Sequence, residues 1–290
     1  MKKSNKMKFR DYKENGANWI TLATGEYYPD ILEDACQLYT PVLELFKQII
    51  KRSESSERLF LKISEVPQSW MRIQLCRVFK KYVSPSTPVE MLKKKTKAQW
   101  ICDEFGKRFR HIVEVQKAFF SRPMPDEALC ALLWEYKDRG KKGYDLTERM
   151  FELLRSRFTE LDISGPERAG RDILLGEVFH DYPKPDRPAD FMIKDGDKVL
   201  AIGFARYDGD RGGAQEDDRT SGYTNVAKEF LAYANSKGLR TKVIFINDGP
   251  GLLLGSMWND YSYIEEISKD IIVVTLRMIS GRITLKWLKS

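Results

Sequence analysis

The feature that most constrains this chain is a change of hydrophobic period partway along it. From Ile31 to Lys117 apolar residues recur every three or four positions, as in ILEDACQLYTPVLELFKQIIKR, the spacing that lays one apolar stripe along an α-helix. Beyond Ser164-Gly165-Pro166 they gather instead in short dense runs, ADFMI, KVLAIGFARY and TKVIFIND, which read as strands. The expected fold is therefore of α+β or α/β class: a mainly helical region over 1–163, then a mixed sheet flanked by helices over 164–290.

Within the helical region, Pro41 is expected to start a new helix, because proline lacks the N–H that a helix interior requires. A Ser/Pro-rich turn leads into SPSTPVEMLKKKTKAQWICDEFGKRFRHIVEVQKAFF, which keeps the helical spacing. The segment DEALCALLWEYKDRGKKGYDLTERMFELLRSRF reads as helix, basic turn, helix, a helix-turn-helix-like unit at 125–158. An ordinary helical hairpin with a solvated turn fits the same pattern. If the unit reads DNA, Lys141, Lys142, Arg149 and Arg155 are its candidates.

In the second region GPERAGRDILLGEVFHDY is expected to be a helix, followed by the break YPKPDRP. A hairpin turning near Asp195-Gly196 comes next, then the polar, Gly-rich GDRGGAQEDDRTSGY. The helix NVAKEFLAYANSKG closes on Gly238, and the tail IIVVTLRMISGRITLKWL adds one or two strands. Asn247 to Gly251 reads as a strand-to-helix turn, with Trp258 and Tyr261 as packing residues.

Composition narrows the chemistry. A net charge of +7 favours a polyanionic partner, and the basic clusters fall mainly in the first half. With only 2 histidines and no His-x-x-x-His pair, a His-rich zinc site and a Ser-His-Asp triad are disfavoured. Gly209-x-x-Gly212-Gly213 is not followed by Gly-Lys-Ser/Thr, so it is no nucleotide P-loop. The 4 cysteines are widely spread and read as buried reduced thiols. No apolar leader and no membrane-length apolar run is visible, so a cytoplasmic protein with no membrane association is expected.

One acid stands out. Asp190, in Arg187-Pro188-Ala189-Asp190-Phe191, sits where an apolar strand begins after a proline break. A carboxylate there is costly to bury unless it meets a cation or a donor, so it is either a metal ligand or an exposed turn acid.

The order helix, Pro-x-Asp at a strand start, hairpin, Gly-rich connection, helix, strand, from about Gly165 to Asp248, resembles the PD-(D/E)xK nuclease core of type II restriction endonucleases. LAIGFARYDGDRGGAQEDDR and NDGPGLLLGSMWNDY are similar to stretches of such enzymes. The resemblance implies a Mg²⁺-dependent, site-specific endonuclease acting on double-stranded DNA, with Asp190 as the first motif acid. It also implies a homodimer, or a heterodimer with a related subunit, and a companion DNA methyltransferase.

The match fails at the next step, since the positions taken to correspond to the second acid and the lysine are Gly203 and Ala205. Three arrangements remain open. Glu216, with Asp217 behind it, reaches into space left by those small residues; or Asp208 supplies the acid from the strand end; or the site is inactive. Arg206 and Lys228 are the candidates for the missing lysine, Glu177 is a further candidate ligand, and Arg211 and Arg219 are candidates for phosphate contact. The rival expectation is a non-catalytic DNA-binding protein, or an inactive partner subunit, on a nuclease-like scaffold.

Overall fold

The computed structural model describes residues 7–137, 141–166, 171–209 and 214–290, the side chains of 141–144 and 214–219 excepted. The chain divides into two compact units, Gly25–Arg139 and a second that joins Met1–Thr24 to Gly140–Ser290.

The first unit is helical, with α1 (Leu32–Lys51), α2 (Ser56–Glu65), α3 (Ser69–Tyr82), α4 (Val89–Leu92), α5 (Ala98–Phe105), α6 (Ile112–Phe120) and α7 (Glu127–Trp134). Local chemistry marks its helix starts. The Ser55 side chain accepts from the Arg58 N–H, and Asp126 Oδ1 from the Leu129 N–H, each satisfying one donor that a first turn leaves unpaired. The core is aromatic, with Phe60, Phe79 and Phe109 packed together and Phe46 against Phe119. Pro41 does not start a helix; it lies inside α1. The buried stripe Ala35, Tyr39, Val42, Leu43, Phe46 and Ile50 stays in phase across it. Keeping that stripe whole outweighs a proline cost of about 3 kcal/mol.

The second unit begins with α8 (Lys141–Arg157) and β1 (Asp162–Ser164), then β2 (Ile173–Leu174), α9 (Leu175–Val178) and β3 (Pro188–Ala189). The hairpin β4 (Phe191–Asp195) and β5 (Lys198–Tyr207) follows, turning at Gly196 with φ of 59°. The chain continues through α10 (Ala214–Ser236), β6 (Lys242–Asp248), α11 (Met257–Glu266), β7 (Ile271–Val274), α12 (Leu276–Arg282) and α13 (Leu285–Leu288).

Five strands form a mixed sheet in the order β1-β4-β5-β6-β7. The pairings β1·β4 and β4·β5 are antiparallel, while β5·β6 and β6·β7 are parallel and joined through α10 and α11. β6 is buried along its whole length, as a central strand covered on both faces must be. Two arginines blunt the edges: Arg155 donates to the Ile163 carbonyl of β1, and Arg282, held by Glu265, to the Val273 carbonyl of β7.

Several expectations need correcting. The division does not fall at 163/164: α8 buries Leu146, Met150, Phe151 and Leu154 in the core of the sheet unit. The N-terminal segment joins it too, since Phe9 stacks on Trp258 at 4.7 Å and its N–H donates to Glu265. The two helices of the expected helix-turn-helix-like unit, α7 and α8, thus belong to different compact units.

Of the helix expected over 165–182, only α9 is helical among the described residues. Leu175, Phe179 and Tyr182 of that stretch are buried in the core of the sheet unit, and Gly176 meets the returning chain at Pro185. α10 begins at Ala214, so Glu216 and Arg219 sit on a helix rather than in a Gly-rich connection. The tail supplies one strand and two short helices. Trp258 and Tyr261 are packing residues, as their apolar spacing suggested.

Candidate functional site

The hairpin register decides which side chains meet. Phe191 lies opposite Gly203, and directly opposed residues of an antiparallel pair share a face. A methyl group built on Gly203 would stand 1.9 Å from the Phe191 ring. Gly203 therefore leaves no space for a metal or an incoming carboxylate; the aromatic ring fills it. Alternation along β5 puts Ala205 and Tyr207 on that same face, and Phe204, Arg206 and Asp208 on the other.

Asp190, a bend residue between β3 and β4, belongs with the second set. Its charge and those of Arg206 and Asp208 all act on Tyr223 of α10. The face that Asp190 shares thus offers Phe204 and Arg206, not Gly203 and Ala205. Phe204 is buried and stacked on Phe245 at 5.3 Å, so no acid stands at that position. Arg206 stands two residues on, with its side chain 34% exposed.

Around Asp190 the polar groups are incompletely matched. Its Oδ2 accepts from the Ala205 N–H at 2.8 Å, and among the described residues its other oxygen accepts no hydrogen bond. Burial pushes the carboxyl above its usual range, and the negative charge of Asp172 adds to the shift, against the pull of the Ala205 N–H and the Arg206 cation. Asp172 precedes β2, whose Ile173 pairs with Ala189 of β3, so the two acids flank the same antiparallel ladder.

Asp208 is differently placed. It is 2% exposed, lies 3.1 Å from Arg206 Nε, and accepts from the Tyr261 hydroxyl of α11 at 3.4 Å. Burial raises the phenols of Tyr223 and Tyr261, so both remain protonated donors across the neutral range. Asn247 of β6 pairs in register with Arg206 and is fully buried, its amide beside the Tyr261 phenol. This group sits at the carboxyl ends of the parallel strands β5 and β6, where open α/β sheets place their ligands.

The other sequence candidates divide by position. Glu177 is exposed and ion-paired with Arg171 at 2.5 Å, facing solvent. Lys228 is exposed on α10, whose inward positions are Tyr223, Val226, Ala227 and Phe230; it does not return to the site. Arg155 is exposed on α8, where it donates to the Ile163 carbonyl at the β1 edge and lies over the Phe151 ring at 4.7 Å. Arg149 is exposed on α8. Arg211 lies outside the described residues, as do the side chains of Lys141, Lys142, Glu216 and Arg219.

Sequence reasoning missed Asp172, Tyr223 and Asn247. Pairing of β2 with β3 would have shown the first; the other two carry no local signal, being ordinary helix and strand residues. Among the described residues no three carboxylate, imidazole or thiol groups converge as a metal-holding cluster. No helix among them is long and apolar enough to cross a membrane. No family model, curated protein or solved structure matches the chain.

Proposed function

We propose that this chain is a Mg²⁺-dependent endonuclease of double-stranded DNA, on a scaffold similar to that of type II restriction enzymes. The observation that carries the proposal is Asp190: a carboxylate drawn partly out of water at the end of β3, with one oxygen accepting nothing among the described residues, a second acid beside it and a cation two residues beyond Phe204. Supporting it is the succession of antiparallel hairpin, helix and parallel strand that presents this face.

The donor set suits a hard cation. Mg²⁺ takes oxygen ligands and is commonly held by one or two protein carboxylates, with water and phosphate completing the shell. Asp190 and Asp172 would hold it, and Glu216, in the first turn of α10, is the further candidate. Bound there, the ion would lower the pKa of a water and screen the scissile phosphate.

The chain's own residues do the rest. Asp190 is held by the Ala205 N–H and keeps a fixed direction. Arg206 takes the place of the motif lysine; permanently charged, it stabilises the developing phosphorane but accepts no proton. Asp208, buried against it, keeps that guanidinium on this face. Each site attacks one strand, so cleavage of both needs a second copy or a related subunit.

A second reading has its own support, because Phe204 occupies the acid position and Arg206 is already engaged by Asp208. That arrangement suits a non-catalytic DNA-binding scaffold. Plasmid incubation separates the two. Discrete fragments with Mg²⁺ and none with EDTA, abolished in Asp190→Ala, are the expected outcome; a gel shift without cleavage supports the second reading, and full cleavage by Asp190→Ala refutes the site.

A further inference from the structure

The helical unit carries a charged surface that the nuclease proposal does not use. Between α4 and α5 the chain makes a 3₁₀ turn over Lys95–Lys97, and Lys94, Lys95 and Lys97 are all exposed. Among the described residues none of these three ammonium groups has an acidic partner, whereas the neighbouring Lys93 is paired with Glu90. One turn further on, Trp100 leaves 46% of its surface in water. Lys97 Nζ lies 5.7 Å from the indole centroid, and Phe105 braces the ring edge-on at 5.7 Å.

The support beneath is packed. Leu92, Ala98, Ile101 and Cys102 are buried, so the turn and the first part of α5 are pinned from below while the lysines and the indole face outward. Two acids, Asp103 and Glu104, are also exposed on α5; Asp103 accepts from Gln99 Nε2 at 2.8 Å.

Like charges this close in sequence repel, over a screening length of about 8 Å at physiological salt, and a polyanion relieves that repulsion. A lone surface lysine cluster would suit any polyanion. The half-exposed indole narrows the partner, because a π-face set among cations is how single strands are held: phosphates on the lysines and an unstacked base on the ring. A duplex keeps its bases stacked and would leave Trp100 unused.

We propose that Lys94, Lys95, Lys97 and Trp100 form a docking surface for single-stranded nucleic acid, separate from the Asp190 site. Binding of a labelled single-stranded oligonucleotide, its duplex and a sulfated polysaccharide is measured on the full chain by fluorescence anisotropy in EDTA. No cleavage contributes, so the outcome is independent of the nuclease proposal.

The single strand is expected to bind at least tenfold more tightly than the duplex. The triple variant Lys94→Glu/Lys95→Glu/Lys97→Glu should lose at least tenfold, with the salt slope reduced by about 2 in log–log units, as loss of three single-strand phosphate contacts requires. Trp100→Ala should lose about tenfold, and Trp100→Phe, which keeps a stacking face, much less. An unchanged melting temperature in the triple variant checks that its fold is intact. Affinity within twofold of wild type in the triple variant overturns the surface. A duplex or polysaccharide bound as tightly as the single strand, with Trp100→Ala silent, overturns the single-strand assignment.

Discussion

Asp190, half-buried just before β4, and Asp248, fully buried at the end of β6, are both acids at strand ends, yet they are held in opposite ways. Asp248 accepts from three backbone N–H groups, those of Thr21 at 2.6 Å, Gly249 at 2.7 Å and Leu276 at 3.0 Å. It ties the N-terminal segment and the start of α12 to the end of β6. Among the described residues Asp190 accepts from one N–H, and it faces the negative charge of Asp172. Burial pushes both carboxyls above the usual range; three backbone N–H groups and the Thr21 side chain oppose it at Asp248, one donor and one cation at Asp190. A carboxylate with its hydrogen bonds filled is part of the architecture. One left partly unfilled beside a second acid is where a cation would lower the energy.

The sharpest way to break this contrast is to remove each acid. Asp248→Ala strips three buried N–H groups of their acceptor and should cost about 4 kcal/mol, read as a shift in the urea midpoint. Asp190→Asn should instead keep the fold and lower Mg²⁺-dependent cleavage by more than 100-fold, about 2.7 kcal/mol of transition-state stabilisation. If Asp190→Asn unfolds the protein and Asp248→Ala does not, the two roles have been exchanged.

The two faces of β5 can be tested in the same spirit. Gly203→Ala drives a methyl into the Phe191 ring and should destabilise by about 2 kcal/mol. A neutral or stabilising result would mean that the face is open, as the sequence had suggested.

The smallest effect concerns pH. Because the Asp190 pKa is raised in the folded state, its contribution to stability is present below the unfolded value of about 3.9 and is lost as pH rises through the folded value. At neutral pH the ionised acid is a burden, so Asp190→Asn should raise the melting temperature by about 1–3 °C without metal. That gain should vanish at acid pH. A gain that persists below the unfolded pKa would remove the link to ionisation.

Much of this was legible from local pattern. The periodic run from Ile31 became the helices of the first unit, the apolar runs became β4, β5 and β6, and Gly196 took the hairpin turn. The acid after Pro188-Ala189 stands just before β4, where the proline break placed a strand start. What went wrong was the face. Side chains alternate with period two, so with Phe191 opposite Gly203 the face of Asp190 carries Phe204 and Arg206 rather than Gly203 and Ala205.

Sequence alone determined the helical character of the first unit, the strands β4, β5 and β6, the basic balance of the chain, and the placing of an acid at a strand start, because these rest on spacing and composition. Only the tertiary structure assigned α8 and the N-terminal segment to the sheet unit, brought Asp172 to Asp190, filled the Gly203 position with Phe191, and set Arg155 against the β1 edge. Each of these depends on pairing between residues far apart or on strand register, and neither is written in the neighbouring sequence.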